Sequence, residues 1–324
     1  MLRSNRQVAL VVVGVLFGVL FLQSLFEGEV NVTGSKDGVV RISRDWSHFI
    51  RSSDVLAFQS GQPRTAMTNY KLLRFIRNHV VAPSAEPLRL FESQELDRSQ
   101  VGQSTRVNEI LNGRTNGFYV ECGAATGEGR SNSLYFERAR NWHGLLIEAD
   151  PFAYQSLLAR HRHAYSINAC LSPNNQTKLM KFDIAGEGGG LNLAERAGPR
   201  ETISKGVSST TFAQCFPIYS ILLALEVKHI DYFSLDIEGL EVEILKTFPW
   251  GAITVDVWTV EYRTFIDAEF SKTASIQRYE DIKAVFEATG LYEEAGVLPP
   301  LSESGAISKS LDVVYKRKQM IGSH

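Results

Sequence analysis

FYVECGAATGEGRSN, residues 118–132, is the stretch on which the reading of this chain turns. Phe118 to Cys122 is an apolar run of strand length, Gly123 interrupts it, and Ser131 and Asn132 stand where a helix should begin. A strand that passes through a glycine-bearing loop into a helix leaves backbone N–H groups free at the helix start, where polar or anionic groups bind. The loop is not the dinucleotide fingerprint, because Ala125 occupies the place of the second glycine in G-x-G-x-x-G. Glu121, two residues before Gly123, points to a different ligand: a carboxylate there can meet an ammonium rather than a pyrophosphate. S-Adenosylmethionine carries such an ammonium on its amino-acid end. Glu121, Gly123, Ala124 and Gly127 are therefore its expected contacts.

Outward from this loop, apolar runs alternate with helical patterns. Strands are expected at Phe118–Cys122, Leu145–Ala149, Ala164–Ala169, Lys178–Phe182, Tyr232–Leu235, Ile253–Val260 and Asp312–Lys316. Asp150-Pro151 reads as an N-cap with proline at the first helical position, opening a helix over Phe152–Arg162. Further helices are expected at Met67–Val81, from a Ser104 cap to Leu111, and at Pro217–Leu225, Leu240–Thr247 and Ile276–Thr289, the last ending at Gly290. Such alternation predicts an α/β domain with a mainly parallel sheet. In such sheets ligands bind beyond the carboxyl ends of the strands. Glu148 ends the second strand 25 residues after Gly123, close to the spacing at which an acid bonds ribose hydroxyls. Asn168 ends the third, placed to meet an adenine edge. After the fourth, Asp236 and Glu238 lie two residues apart and share a face. As catalytic candidates they can orient or deprotonate a substrate, or hold a metal, although no metal site is assigned from the sequence. Glu241 reads as a first-turn helix acid.

Composition narrows the field. The 324 residues carry 34 basic and 36 acidic side chains, a net charge of −2, which is no footprint for nucleic acid. The seven histidines and three cysteines form no H-x-x-x-H or C-x-x-C, and there is no G-x-S-x-G, which excludes zincin, zinc-ribbon and α/β-hydrolase readings. Cys122 reads as a core residue, whereas Cys170 and Cys215 can pair in an oxidising compartment.

From Val8 to Phe26 the chain runs for nineteen residues without a charge, enough helix to span roughly 30 Å of hydrocarbon. No small-x-small cleavage site follows, so the run predicts a single transmembrane signal-anchor rather than a removed leader. Arg3 and Arg6 before it and Glu27 and Glu29 after it leave residues 1–7 cytosolic and the bulk of the chain lumenal or extracellular, a type II topology. Asn31-Val-Thr33 and Asn175-Gln-Thr177 are sequons that fit that side. Gly14 and Gly18 form a GxxxG that can bring two spans together as a homodimer, against the general frequency of glycine in membrane helices. Residues 27–98 read as a stem and helical linker, with little regular structure before position 66; 99–318 form the catalytic-type domain and 319–324 a tail.

The blocks FYVECGAATGEGRSNSLYFER, GLLIEADP, INACLS and DYFSLDIEGLEVEILKTFPW together resemble the FkbM-type methyltransferase domain, a branch of the class I S-adenosylmethionine-dependent fold with its Rossmann-like sheet. This resemblance implies a cofactor site of Glu121, Gly123, Gly127, Glu148 and Asn168, with Asp236 and Glu238 on the substrate side. That block behind an N-terminal span, with QCFPIYSILLAL before the fourth strand, is similar to the Star-like membrane proteins of arthropods. The narrower resemblance implies trafficking of epidermal-growth-factor-like ligand precursors through endoplasmic reticulum, Golgi and endosomes. Two functions thus stand side by side: a cargo-binding protein on a methyltransferase fold, and an active O-methyltransferase on a lumenal glycan or small hydroxyl compound. Fold alone does not choose between them. A nicotinamide oxidoreductase is disfavoured by the missing G-x-G-x-x-G.

Overall fold

Tyr119 and Val120, Leu145 to Ile147, and Ile230, Tyr232, Phe233 and Leu235 are all buried. Near-continuous apolar burial of this kind marks strands inside a parallel sheet covered on both faces. A computed structural model describes residues 30–34, 40–44, 52–60, 66–184, 190–191, 209–266, 269–299 and 311–318. The chain divides into two units, Met1–Val55 and Leu56–His324. In the first, Val30–Gly34 and Val40–Arg44 pair as an antiparallel hairpin, so the stretch expected to lack regular structure contains some. The run 8–26 lies outside the described residues, among which no helix is long and apolar enough to cross a membrane.

The second unit is built on a seven-stranded sheet whose strands in chain order are β1 (Phe118–Cys122), β2 (His143–Glu148), β3 (Tyr165–Asn168), β4 (His229–Leu235), β5 (Thr254–Glu261), β6 (Tyr292–Leu298) and β7 (Asp312–Arg317). Their spatial order is 3-2-1-4-5-7-6. The first five are parallel, and β7 runs antiparallel to both β5 and β6. The order reverses at β1, which lies between β2 and β4, and a crevice opens at the carboxyl ends beside such a reversal.

Helices in this unit are α1 (Ser52–Ser60, which begins in the first), α2 (Tyr70–His79), α3 (Gln103–Ile110), α4 (Leu134–Arg140), α5 (Pro151–Leu158), α6 (Ile218–Ala224), α7 (Glu241–Thr247) and α8 (Lys272–Thr289). Phe233 stacks on Trp258 at 4.3 Å, and Phe286 on Tyr315 at 3.9 Å, filling the core around β4, β5 and α8. Asp150 caps α5 through the N–H groups of Phe152 and Ala153, with Pro151 at the first position as its sequence predicts.

Several expectations need correction. α8 begins at Lys272 rather than Ile276, because the Ser271 hydroxyl accepts from the Ala274 N–H, a cap worth about 1 kcal/mol. Ser104 lies inside α3, where its hydroxyl donates to the Asn132 carbonyl at 3.0 Å, and Gly102 precedes the helix. Lys178–Ile184 is a strand, but of a separate four-stranded sheet with Cys170–Leu171, Ser209–Phe216 and Gly190–Leu191. Cys170 faces Cys215 across that sheet, and the two form a disulfide. Cys122 is free and buried.

Candidate active site at the carboxyl ends of the strands

The loop after β1 is shaped by close approach. Gly123 has φ of +80°, and a Cβ there would lie 1.8 Å from the Asp236 carbonyl oxygen. The N–H groups of Gly123 and Ala124 both donate to the Ile147 carbonyl, at 3.0 and 3.1 Å, which draws the loop over the end of β2. Ala125, also left-handed at φ +46°, donates its N–H to Glu148 Oε2 at 2.7 Å. Gly127 lets α5 come near, since a Cβ would meet Leu157 Cγ at 2.9 Å. Behind the loop, Arg162 donates to the Gly127 carbonyl and to Ser133 Oγ while pairing with Glu137 at 2.8 Å, all of it buried. This guanidinium pins loop to helix, and its sequence context, between two histidines, does not announce it.

Glu121 is 3% exposed. Its carboxylate accepts from Ser131 Oγ at 2.9 Å, from the Asn132 N–H at 2.7 Å and from Ser133 Oγ, so it serves the start of α4. Burial raises its pKa despite the Arg162 charge. The ammonium contact expected of it finds another candidate in Asn132, which lines the same cavity and whose buried Oδ1 accepts no hydrogen bond.

Glu148 receives two backbone donors, Ala125 on Oε2 and Asp150 on Oε1, both at 2.7 Å. Burial nevertheless pushes its pKa up to about 7, the N–H bonds opposing that rise. Asn168 does not line the cavity: its amide donates to the Glu148 carbonyl at 2.8 Å and the Ala149 carbonyl at 3.2 Å, tying β3 to the end of β2. Ala169, Cys170 and Leu171 line the cavity in its place.

On the other side of β1, Asp236 and Glu238 are partly accessible in the cavity wall. Glu261, at the end of β5 and 1% exposed, joins them. Burial raises the pKa of Asp236, while a bond with Glu261 and the charges of Arg263 and Arg130 oppose the shift. Burial and then the Asp236 charge push Glu238 up to about 8. Glu261 is raised furthest in kind, well above the carboxylate range, by burial and by both neighbouring acids.

One cavity of about 630 Å³ thus brings together Glu121, Gly123, Ala124, Glu148, Asp236 and Glu238. Gly127 and Asn168 support it from outside its lining. The sequence places Asn132 only at the start of a helix and assigns no role to Glu261 or Arg263. Glu261 directly follows the expected strand Ile253–Val260 and Arg263 lies two residues further, so both stand where the strand-end rule looks for ligands.

A family model described as the methyltransferase FkbM domain matches residues 121–290, more than half of the chain. No curated protein matches by sequence. Among solved structures, the methyltransferase FkbM of Methylobacillus flagellatus is 11% identical over 76% of this chain and 58% of that one, with a TM-score of 0.36. A fibrillarin of Aeropyrum pernix, in complex with natively bound S-adenosyl-L-methionine, is 12% identical over 89% and 99%, with a TM-score of 0.36. A TehB-like SAM-dependent methyltransferase of Corynebacterium glutamicum is 10% identical over 67% and 88%, also at 0.36. The matched stretch starts at Glu121 within β1 and closes at Gly290 behind α8, and the chain belongs to the FkbM methyltransferase domain family, with a class I S-adenosylmethionine-methyltransferase-like α/β fold.

Proposed function

We propose that this domain binds S-adenosylmethionine at the reversal beside β1 and transfers its methyl group to a hydroxyl oxygen. The observation that carries the reading is the facing of Glu148 and the Asp236–Glu238 pair across one cavity, under a loop held by Gly123. Its donor set fits that cofactor. Glu148 accepts from the ribose hydroxyls, Asn132 Oδ1 offers an acceptor for the ammonium, and Ile147, Phe152 and Leu171 supply an apolar wall. The volume lies within the range of small-molecule sites. When bound, the cofactor supplies a methyl carbon on a cationic sulfur. Asp236 and Glu238, on the wall opposite Glu148, would orient the acceptor hydroxyl and one of them would take its proton. A carboxylate pair held above its ordinary pKa is suited to receive it. Calorimetric titration of S-adenosylmethionine into the full chain in detergent should show one micromolar site, with S-adenosylhomocysteine competing. A folded chain that gives no heat overturns the reading and leaves the fold to cargo binding.

The finer setting is our proposal as well: a Star-like, type II membrane protein of the secretory pathway, anchored by residues 8–26, that assists movement of growth-factor-like cargo. Three observations support it. The apolar run has the length of a span; the Cys170–Cys215 disulfide suits an oxidising lumen; and Asn175, the sequon acceptor, is exposed in the turn before Lys178. Expressed in a secretory cell, the chain should shift in mobility on endoglycosidase treatment, and Asn175→Gln should remove part of that shift. A chain with no glycan at either sequon speaks against lumenal placement.

A further inference from the structure

β4 and β5 are parallel neighbours, with Leu235 opposite Val260. The next residue of each strand, Asp236 and Glu261, therefore emerges side by side. Left-handed backbone at Glu238 (φ +57°) turns the following loop beside them. One carboxylate oxygen from each of Asp236, Glu238 and Glu261 lies within 4.8 Å of the others. Acids at such range repel unless a proton or a cation stands between them; a hydrogen bond joins Asp236 to Glu261, so a cation that binds here takes the place of that proton. Among the described residues the cations that face them are Arg263, whose Nε is 3.5 Å from Glu261 Oε1, Arg130 toward Asp236, and Arg278 toward Glu238, the last also paired with Glu241 at 3.7 Å.

A second observation points to a ligand. Glu261 is 1% exposed, yet its Oε2 accepts no hydrogen bond from any of the described residues. A buried acceptor without a donor costs about 1–3 kcal/mol, more when charged, so such atoms call for an explanation. Here the residue belongs to a group of three carboxylates, two of which, Asp236 and Glu238, line the cavity of about 630 Å³. All three donors are hard carboxylate oxygens, the set that suits Mg²⁺, Mn²⁺ or Ca²⁺ rather than a thiophilic metal. Oxygens up to 4.8 Å apart can face each other across an ion with bonds of about 2.4 Å, and a smaller ion is reached by a modest closure.

We propose that Asp236, Glu238 and Glu261 bind a hard divalent cation, which takes the substrate hydroxyl as a further ligand. The cation then fixes the oxygen in line with the methyl carbon and eases loss of its proton. The ion-binding part stands on these three residues alone; the role toward the hydroxyl rests on the methyl-transfer reading above.

The test is titration of Mn²⁺ into the full chain in detergent, followed by the electron paramagnetic resonance of free Mn²⁺, with S-adenosylmethionine binding measured separately in EDTA. One saturable Mn²⁺ per chain is expected. Glu261→Gln and, at the more accessible position, Glu238→Gln should each weaken it at least about tenfold, with thermal melting showing that both variants fold. Folded wild-type chain that takes up no Mn²⁺, or uptake unchanged in both variants, overturns the site. Mn²⁺ uptake without S-adenosylmethionine affinity upholds the site while overturning methyl transfer, so the two failures are distinguishable.

Discussion

Gly123→Ala should destabilise this domain by about 3–4 kcal/mol and abolish cofactor binding with it. The added Cβ would sit 1.8 Å from the Asp236 carbonyl oxygen and 3.0 Å from its carbonyl carbon. Neither is the tip of a flexible side chain. Both belong to the backbone at the end of β4, whose next-door hydrogen bond, from the Asp236 N–H to the Cys122 carbonyl at 3.2 Å, ties it to β1. Relief of the overlap must part the two strands at the point where the cavity is built. The φ of +80° adds roughly 1–2 kcal/mol for any residue with a Cβ. Gly129→Ala is the matched control, because a Cβ there meets nothing within 4 Å; its change should stay within about 0.5 kcal/mol. Denaturant or thermal midpoints of the two variants decide the matter. Equal midpoints would mean that the strand ends yield freely, and the crowding at Gly123 would then have no part in shaping the site.

The same crowding explains why the alternation of strands and helices was readable while the site was readable only in part. Parallel strands buried on both faces write themselves as apolar runs, and β1, β2 and β4 could be drawn from Phe118, Leu145 and Tyr232 onward. β6 is an edge strand, paired on one side with β7 and broken in register between Glu294 and Gly296; its sequence YEEAGVL carries neither alternation nor a run and predicts no strand. Ser209–Phe216 reads as polar because it belongs to the smaller sheet, with its first residues exposed. Among site residues, Glu148 and Asp236 follow from strand ends alone. The fate of a carboxylate depends instead on which donors the fold delivers. Glu121 meets the serines of its own helix start, and Asn168 meets carbonyls of β2. Glu261 could be placed with Asp236 only once β4 and β5 were known to be neighbours. Local sequence carries propensity; it does not carry the partner across the sheet.

Glu148 supplies the second large effect, in which affinity and stability move in opposite directions. The folded chain holds this carboxyl near pKa 7, against an ordinary value of 4.5. Between those values the folded state binds a proton that the unfolded state has lost. Its contribution to stability is therefore greatest at low pH and is lost as pH rises from about 4.5 to 7. Ribose hydroxyls act the other way. They donate, and so favour the ionised form, adding to the N–H groups of Ala125 and Asp150 that already lie 2.7 Å away. S-Adenosylmethionine affinity should accordingly rise about tenfold per pH unit up to pH 7 and flatten above it, with a proton released on binding below pH 7. Glu148→Gln keeps the shape and removes the titration. At pH 8 the ligand-free variant should melt higher than wild type, while its affinity falls at least about 100-fold, since two hydrogen bonds to a charged acceptor are worth roughly 1.5–3 kcal/mol each. The other acids near pH 7–8 are common to both proteins, so the difference between their pH profiles isolates this group. A variant that kept the pH dependence of binding would assign it to the Asp236–Glu238–Glu261 cluster. A variant that lost stability at pH 8 would show that the two backbone donors need a charged partner more than burial resists one.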